Sequence, residues 1–156
     1  MSIGAFFPEF QGHVSDICRM PKIDREAVFQ KYGGFCAYTG KPLGPDWQVD
    51  HCRPRSNWLW HQRWNTAEIN GIENLLPAAK IINHYKRGLT LEEFRARMAA
   101  FHLQLAKLPK KTQRPKTLRR IAYMREIADL FDITPQKPFS GRFYFELATK
   151  TEPHTI

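Results

Sequence analysis

The sequence predicts an α+β domain, and three observations point to it. Between Phe35 and Val49, two short runs suited to β-strands flank Gly40-Lys-Pro-Leu-Gly44-Pro-Asp46, which has the composition of a turn. Pro77 stands where a helix running to about Arg87 would begin, and Gly88 where it would stop. Thr90-Leu-Glu-Glu93 is a capping box, and Leu91, Phe94, Met98, Phe101 and Leu105 follow at alternating steps of three and four, an apolar stripe of core type. With 156 residues, 42% of them apolar, the chain is one domain with extensions and can bury a core.

Taken in order, residues 1–32 read as an N-terminal arm and a short helix. Phe6, Phe7, Pro8 and Phe10 show no periodicity, so the arm is irregular; Asp24 then caps a helix through about Tyr32, ended by Gly33. Residues 33–88 form the core unit, with strands from Phe35 to Val49 and the helix after Pro77. Between them, residues 52–73 make a long loop in which Trp58, Trp60, His61, Arg63 and Trp64 interleave rings with cations. Such a loop stacks bases or anchors itself on the core, and both readings stand open. Residues 89–147 form a helical extension. In it, a basic connector from Lys107 to Arg120 carries Lys110, Lys111, Arg114, Lys116, Arg119 and Arg120 and is broken by Pro109 and Pro115. Thr117 caps a last helix with Leu118, Ile121, Met124, Ala128 and Phe131 on one face, and Arg142–Leu147 alternates as a strand. Residues 148–156 read as a loose tail.

The formal net charge of +9 favours a polyanionic partner, and nucleic acid is the usual one because Lys and Arg displace counterions from phosphates. Cys18, Cys36 and Cys52 are an odd set without a Cys-x-x-Cys pair, which excludes a disulfide framework and a four-cysteine zinc site. The N-terminal stretch has no basic lead and no long apolar run, and no segment approaches the ~20 residues that span a bilayer. A soluble, cytoplasmic protein without a membrane partner is expected.

The chemistry gathers at Val49-Asp50-His51. Phosphodiester hydrolysis needs a deprotonated water and relief for the charge that builds on phosphorus and the leaving oxygen. A neutral imidazole, with an unperturbed pKa of ~6.5, can take that proton near neutral pH. On the dipeptide alone, Asp50 also reads as a turn acid and His51 as a structural histidine. In an ideal strand the two would point to opposite faces, so serving one site needs a twist or break, with which Pro54 is consistent. On the following helix Asn83, Lys86 and Arg87 share a face, offering one amide oxygen and two cations, while Ala78, Ile82 and Tyr85 lie on another.

Together these pieces resemble the HNH (ββα-metal) nuclease family across residues 33–88. The resemblance is carried by Cys36-Ala-Tyr-Thr-Gly40, by Val49-Asp50-His51-Cys-Arg-Pro54-Arg-Ser56, by Asn74-Leu75, and by Asn83 followed by Lys86. It implies a ββα-metal core with added N- and C-terminal helices, and a divalent-metal-dependent endonuclease that cleaves or nicks DNA. By the same resemblance His51 is the general base and Asp50 and Asn83 hold Mg2+, with Mn2+ or another divalent cation as substitutes. Asn74 is the central asparagine that holds the loop and orients the base. Many family members also carry a structural zinc on four cysteines. Here only Cys36 remains, with Thr39, Ala79 and Ile82 at the other aligned positions, so no structural zinc is expected. Arg53, Arg55, Lys86, Arg87, Lys110, Lys111, Arg114, Arg119 and Arg120 are the expected nucleic-acid contacts, with double-stranded DNA the expected partner. No separate reader module is evident, so specificity is expected to be modest or lent by a second copy or a partner protein. The alternative is a non-catalytic module that binds DNA or RNA on the same scaffold.

Overall fold

The computed structural model describes residues 22–55 and 66–148. The expected N-terminal arm, the tryptophan loop with Trp58, Trp60 and Trp64, and the tail from residue 149 lie outside the described residues. The elements in chain order are helix α1 (Arg25–Gln30), strand β1 (Gln48–His51), helix α2 (Thr66–Ile69), a 3-10 turn (Ile72–Asn74), strand β2 (Leu75–Ala78), then helices α3 (Lys80–Lys86), α4 (Leu91–Ala99), α5 (Phe101–Ala106), α6 (Pro115–Leu130) and α7 (Tyr144–Ala148). The class is α+β, with one two-stranded antiparallel sheet and several helices.

The sheet is not the one expected. Phe35–Val49 does not form two paired strands; its one bridge joins Phe35 to Pro42. The segment 36–40 instead closes a tight knuckle, with Cys36 N–H on the Lys41 carbonyl at 2.8 Å and Gly40 N–H on the Cys36 carbonyl at 2.8 Å. Gly40 holds φ +67, a left-handed conformation that glycine adopts freely and a strand does not use. The partner of β1 is β2, in the register Gln48↔Ala78, Val49↔Pro77, Asp50↔Leu76 and His51↔Leu75.

Pro77 therefore sits in a strand rather than in the first turn of a helix. Its carbonyl accepts from Ala37 N–H at 2.8 Å, on the knuckle side. A strand residue turns its N and its carbonyl to the same side, so the absent N–H faces the knuckle and β1 loses no ladder bond. The helix begins three residues later, after Ala79.

The capping box at Thr90 and Glu93 is present, and the stripe it introduces is buried at Phe94, Met98, Phe101 and Leu105. The helix is broken once, at Ala100, into α4 and α5. Helix α6 starts at Pro115 rather than Thr117, as suits a residue with no N–H to leave unbonded in the first turn. Ile121, Met124 and Ala128 are buried, but Leu118, expected beside them, is 48% exposed.

Arg142–Leu147 is not a strand. Tyr144–Ala148 is helical, Phe143 N–H is capped by the Glu146 carboxylate at 2.8 Å, and Arg95 grips Glu146 from α4. The start of α7 docks on the knuckle, with Tyr144 and Phe145 N–H on the carbonyls of Tyr38 and Ala37. Tyr38, Phe94 and Phe143 form the aromatic centre of the core: Phe94 and Phe143 stack at 5.3 Å, and Tyr38 meets both edge-on.

Candidate active site

Strand β1 sorts its side chains by alternation. Gln48 and Asp50 face helix α3, and His51 leaves on the opposite side. Asp50 is 6% exposed, a burial that costs a carboxylate heavily unless it is paired. It is paired twice. The Tyr38 hydroxyl donates a short hydrogen bond to Oδ2, and the Lys86 ammonium lies 3.0 Å from Oδ2 and 3.3 Å from Oδ1. Lys86 is fully buried and donates again to the His51 carbonyl at 3.1 Å. Burial first, and the Asp50 carboxylate second, hold the Tyr38 hydroxyl well above its ordinary range, so Tyr38 remains a donor.

This placement corrects the reading of Lys86 as a nucleic-acid contact, because a lysine with no exposed surface cannot reach a phosphate outside. Nor do Asn83, Lys86 and Arg87 share one outward face. The helix ends at Lys86, and Arg87 takes φ +55, which breaks the helical phase and leaves Arg87 in solvent while Lys86 turns inward. Asn83 donates to Gln48 Oε1 at 2.7 Å, and with His84, Arg87 and Tyr123 it borders an open basin of about 540 Å3.

His51 is half-buried. Its Nε2 lies 3.0 Å from Asn70 Oδ1, an atom that only accepts, so Nε2 carries the proton and Nδ1 presents a lone pair. Burial holds its pKa below the ordinary 6.5. The charges of Arg55 and Lys86 push the same way, while the Asn70 bond and Asp50 oppose. Burial thus favours the neutral ring, and the Asn70 contact favours the tautomer protonated at Nε2. The residue touching it is Asn70, in the turn after α2, not Asn74.

Asn74 has a different task and is 2% exposed. Its Oδ1 accepts from Arg53 N–H at 2.8 Å, and its Nδ2 donates to the carbonyls of Ile69 at 2.8 Å and Arg53 at 3.2 Å. It staples the segment after β1 to the turn before β2. Lys31 supports the same turn from α1, its ammonium on the carbonyls of Ile72 at 2.8 Å and Leu75 at 3.1 Å. Asn70, Tyr38, Gln48 and Lys31 were not singled out from sequence. Asn70 stands before Gly71, a turn signal that gave no hint of a contact to His51.

At the four positions that the sequence resemblance aligns with zinc-binding cysteines, Cys36 and Ile82 are buried in the core and Ala79 packs against them. The Ala79 N–H points at Cys36 Sγ at 3.4 Å, and Thr39 Oγ1 accepts from Lys41 N–H. A divalent cation between Asp50 and Asn83 does not fit the side chains in this arrangement. The carboxylate has an ammonium and a phenol on it, and Lys86 supplies the positive charge that a cation would bring.

Arg53 and Arg55 flank this corner, half-buried and exposed respectively. Lys110, Lys111, Arg114, Arg119 and Arg120 form a separate exposed group on the α5–α6 connector and α6. Among the described residues no helix is long and apolar enough to cross a membrane. No protein-family model, no curated protein and no solved structure matches the chain.

Proposed function

We propose that this chain is an endonuclease of the HNH type, hydrolysing DNA phosphodiester bonds with His51 as general base. The observation that carries the reading is the His51–Asn70 contact, which leaves Nδ1 unprotonated on a ring that burial keeps neutral. In the proposed step, Nδ1 takes a proton from water as the water oxygen attacks phosphorus, and the bond to the leaving oxygen breaks as that oxygen takes a proton from solvent. Arg53, Arg55 and Arg87 are the cations nearest in sequence to the corner and its basin, and they are assigned to the substrate backbone. Asn74 is a positioning residue that holds the segment carrying Arg53.

The family resemblance implies Mg2+, but the Asp50 carboxylate is buried against the Lys86 ammonium and the Tyr38 hydroxyl, so no step here runs through a metal. That same pair favours a second reading, a module that binds nucleic acid without cutting it. Specificity lent by a second copy or a partner protein belongs to either reading.

Supercoiled plasmid incubated with Mg2+, with Mn2+ and with chelator separates them. Nicking or linearisation by the wild type, lost in His51→Ala, is the expected result. Cleavage that persists in His51→Ala would remove His51 from the mechanism. A wild type that cuts neither DNA nor RNA would favour the binding module.

A further inference from the structure

Beyond the β1 corner lies a second feature with the chemistry of a nucleic-acid contact. Where α5 runs into the connector and α6 begins, a cavity of about 340 Å3 opens between the two helices. Its apolar lining is Leu108, Pro109 and Ile121, and its cations are Lys107, Lys116 and Arg120. No acidic side chain is among the described residues that line it. Ile121 is 7% exposed and Leu108 half-buried, so these two are set into the body, whereas Pro109 and all three cations are exposed.

A flat phosphate-tracking surface needs cations alone. A concavity with an apolar lining and a cationic surround offers one thing more, a place for a planar base whose phosphate stays outside. Its volume is at the lower end of the roughly 300–1,000 Å3 typical of small-molecule pockets, which suits one nucleotide. In a duplex every base is stacked and paired and would have to be pulled out first, whereas a single strand presents its bases freely.

We infer that the α5–α6 cavity takes one unstacked nucleotide of a single-stranded DNA segment, with its base against Leu108, Pro109 and Ile121 and its phosphates on Lys107, Lys116 and Arg120. This rests on the proposed nucleic-acid substrate and adds to it a preference for single-stranded or locally opened DNA.

The test is fluorescence anisotropy with the full chain, at fixed salt and with chelator present so that nothing is cut. The probes are a short single-stranded deoxyoligonucleotide, the same strand with abasic sites, and the matched duplex. The base-bearing single strand should bind about tenfold more tightly than the abasic strand, the effect of taking roughly 55 Å2 of apolar base surface out of water. Lys116→Gln with Arg120→Gln, both at exposed positions, should weaken single-strand binding by about tenfold or more while circular dichroism is unchanged. Equal affinity for base-bearing and abasic strands would overturn the inference, as would tighter binding of the duplex or an unchanged affinity in the double variant. Since the assay needs no catalysis, a chain that binds as described yet never cuts would sink the nuclease reading alone. A chain that cuts plasmid but shows no base effect would sink this one alone, and one that binds no nucleic acid would sink both.

Discussion

At the scale of single residues, the chemistry depends on which nitrogen of His51 holds the proton. Asn70 decides this with one neutral acceptor, which orients the ring and raises its pKa by less than burial lowers it, without the added negative charge of a carboxylate. With the folded pKa held below 6.5, the proton binds the unfolded chain more readily. His51 therefore contributes stability that is present above pH 6.5 and is lost as pH falls through the folded value. The same depression keeps the base unprotonated into mildly acidic solution, so the acidic limb of a pH–rate profile should lie below 6.5. Asn70→Asp keeps the acceptor and adds a negative charge, which favours the imidazolium. It should move that limb upward while leaving the alkaline side in place, as read from plasmid nicking across pH. A limb that stays where it is would mean that Asn70 does not face the ring that does the chemistry.

At the scale of elements, helix α3 is fastened to strand β1 by the buried charge pair. Taking Lys86 away leaves the Asp50 carboxylate inside with only Tyr38 on it, so Lys86→Met should cost about 3–5 kcal/mol in urea denaturation. Replacing the whole cluster, with Lys86→Met, Asp50→Leu and Tyr38→Phe together, should recover most of that loss, because an apolar set of similar volume needs no pairing. A single variant that costs under about 1 kcal/mol would show that the pair does not hold the helix. How far such features were legible follows from their range. The Thr90–Glu93 box and the Phe94–Leu105 stripe are local signals, and both stand in the structure. The strand expected at Arg142–Leu147 failed because its alternating rings are also compatible with a short helix. What selects the helix is distant: Arg95 holding Glu146, and the knuckle carbonyls holding Tyr144 and Phe145. The β1 partner failed for a similar reason, since Leu75–Ala78 reads as the approach to a helix until its register with β1 is known. Within the candidate site, Asp50, His51, Asn74 and Asn83 were visible as a motif. Their partners Tyr38, Lys86, Asn70 and Gln48 come from four separate segments; Tyr38 and Lys86 stood within the motif, Tyr38 with no role assigned and Lys86 in a role opposite to the expected one.

At the scale of the whole molecule, a net charge of +9 on 156 residues sets the field any polyanion meets. The cations are not equivalent. Lys86 is neutralised inside by Asp50, and Lys41 and Arg95 are engaged with Asp132 and Glu146. Lys110, Lys111 and Arg114, by contrast, stand exposed together on the α5–α6 connector. If that connector tracks a DNA backbone, each of these residues displaces about one condensed counterion from duplex DNA, and the logarithm of the binding constant falls with the logarithm of salt by about 0.9 per contact. Changing all three to Gln should therefore flatten the slope by about 3 units, with a loss of affinity that is largest at low salt and shrinks as salt rises. The measurement is a series of duplex-binding titrations between about 50 and 200 mM salt for both proteins. Convergence of the two lines at high salt assigns the connector to the backbone. Parallel lines would mean that these cations meet solvent rather than phosphate, and that the interface lies on Arg53, Arg55 and Arg87 at the β1 corner.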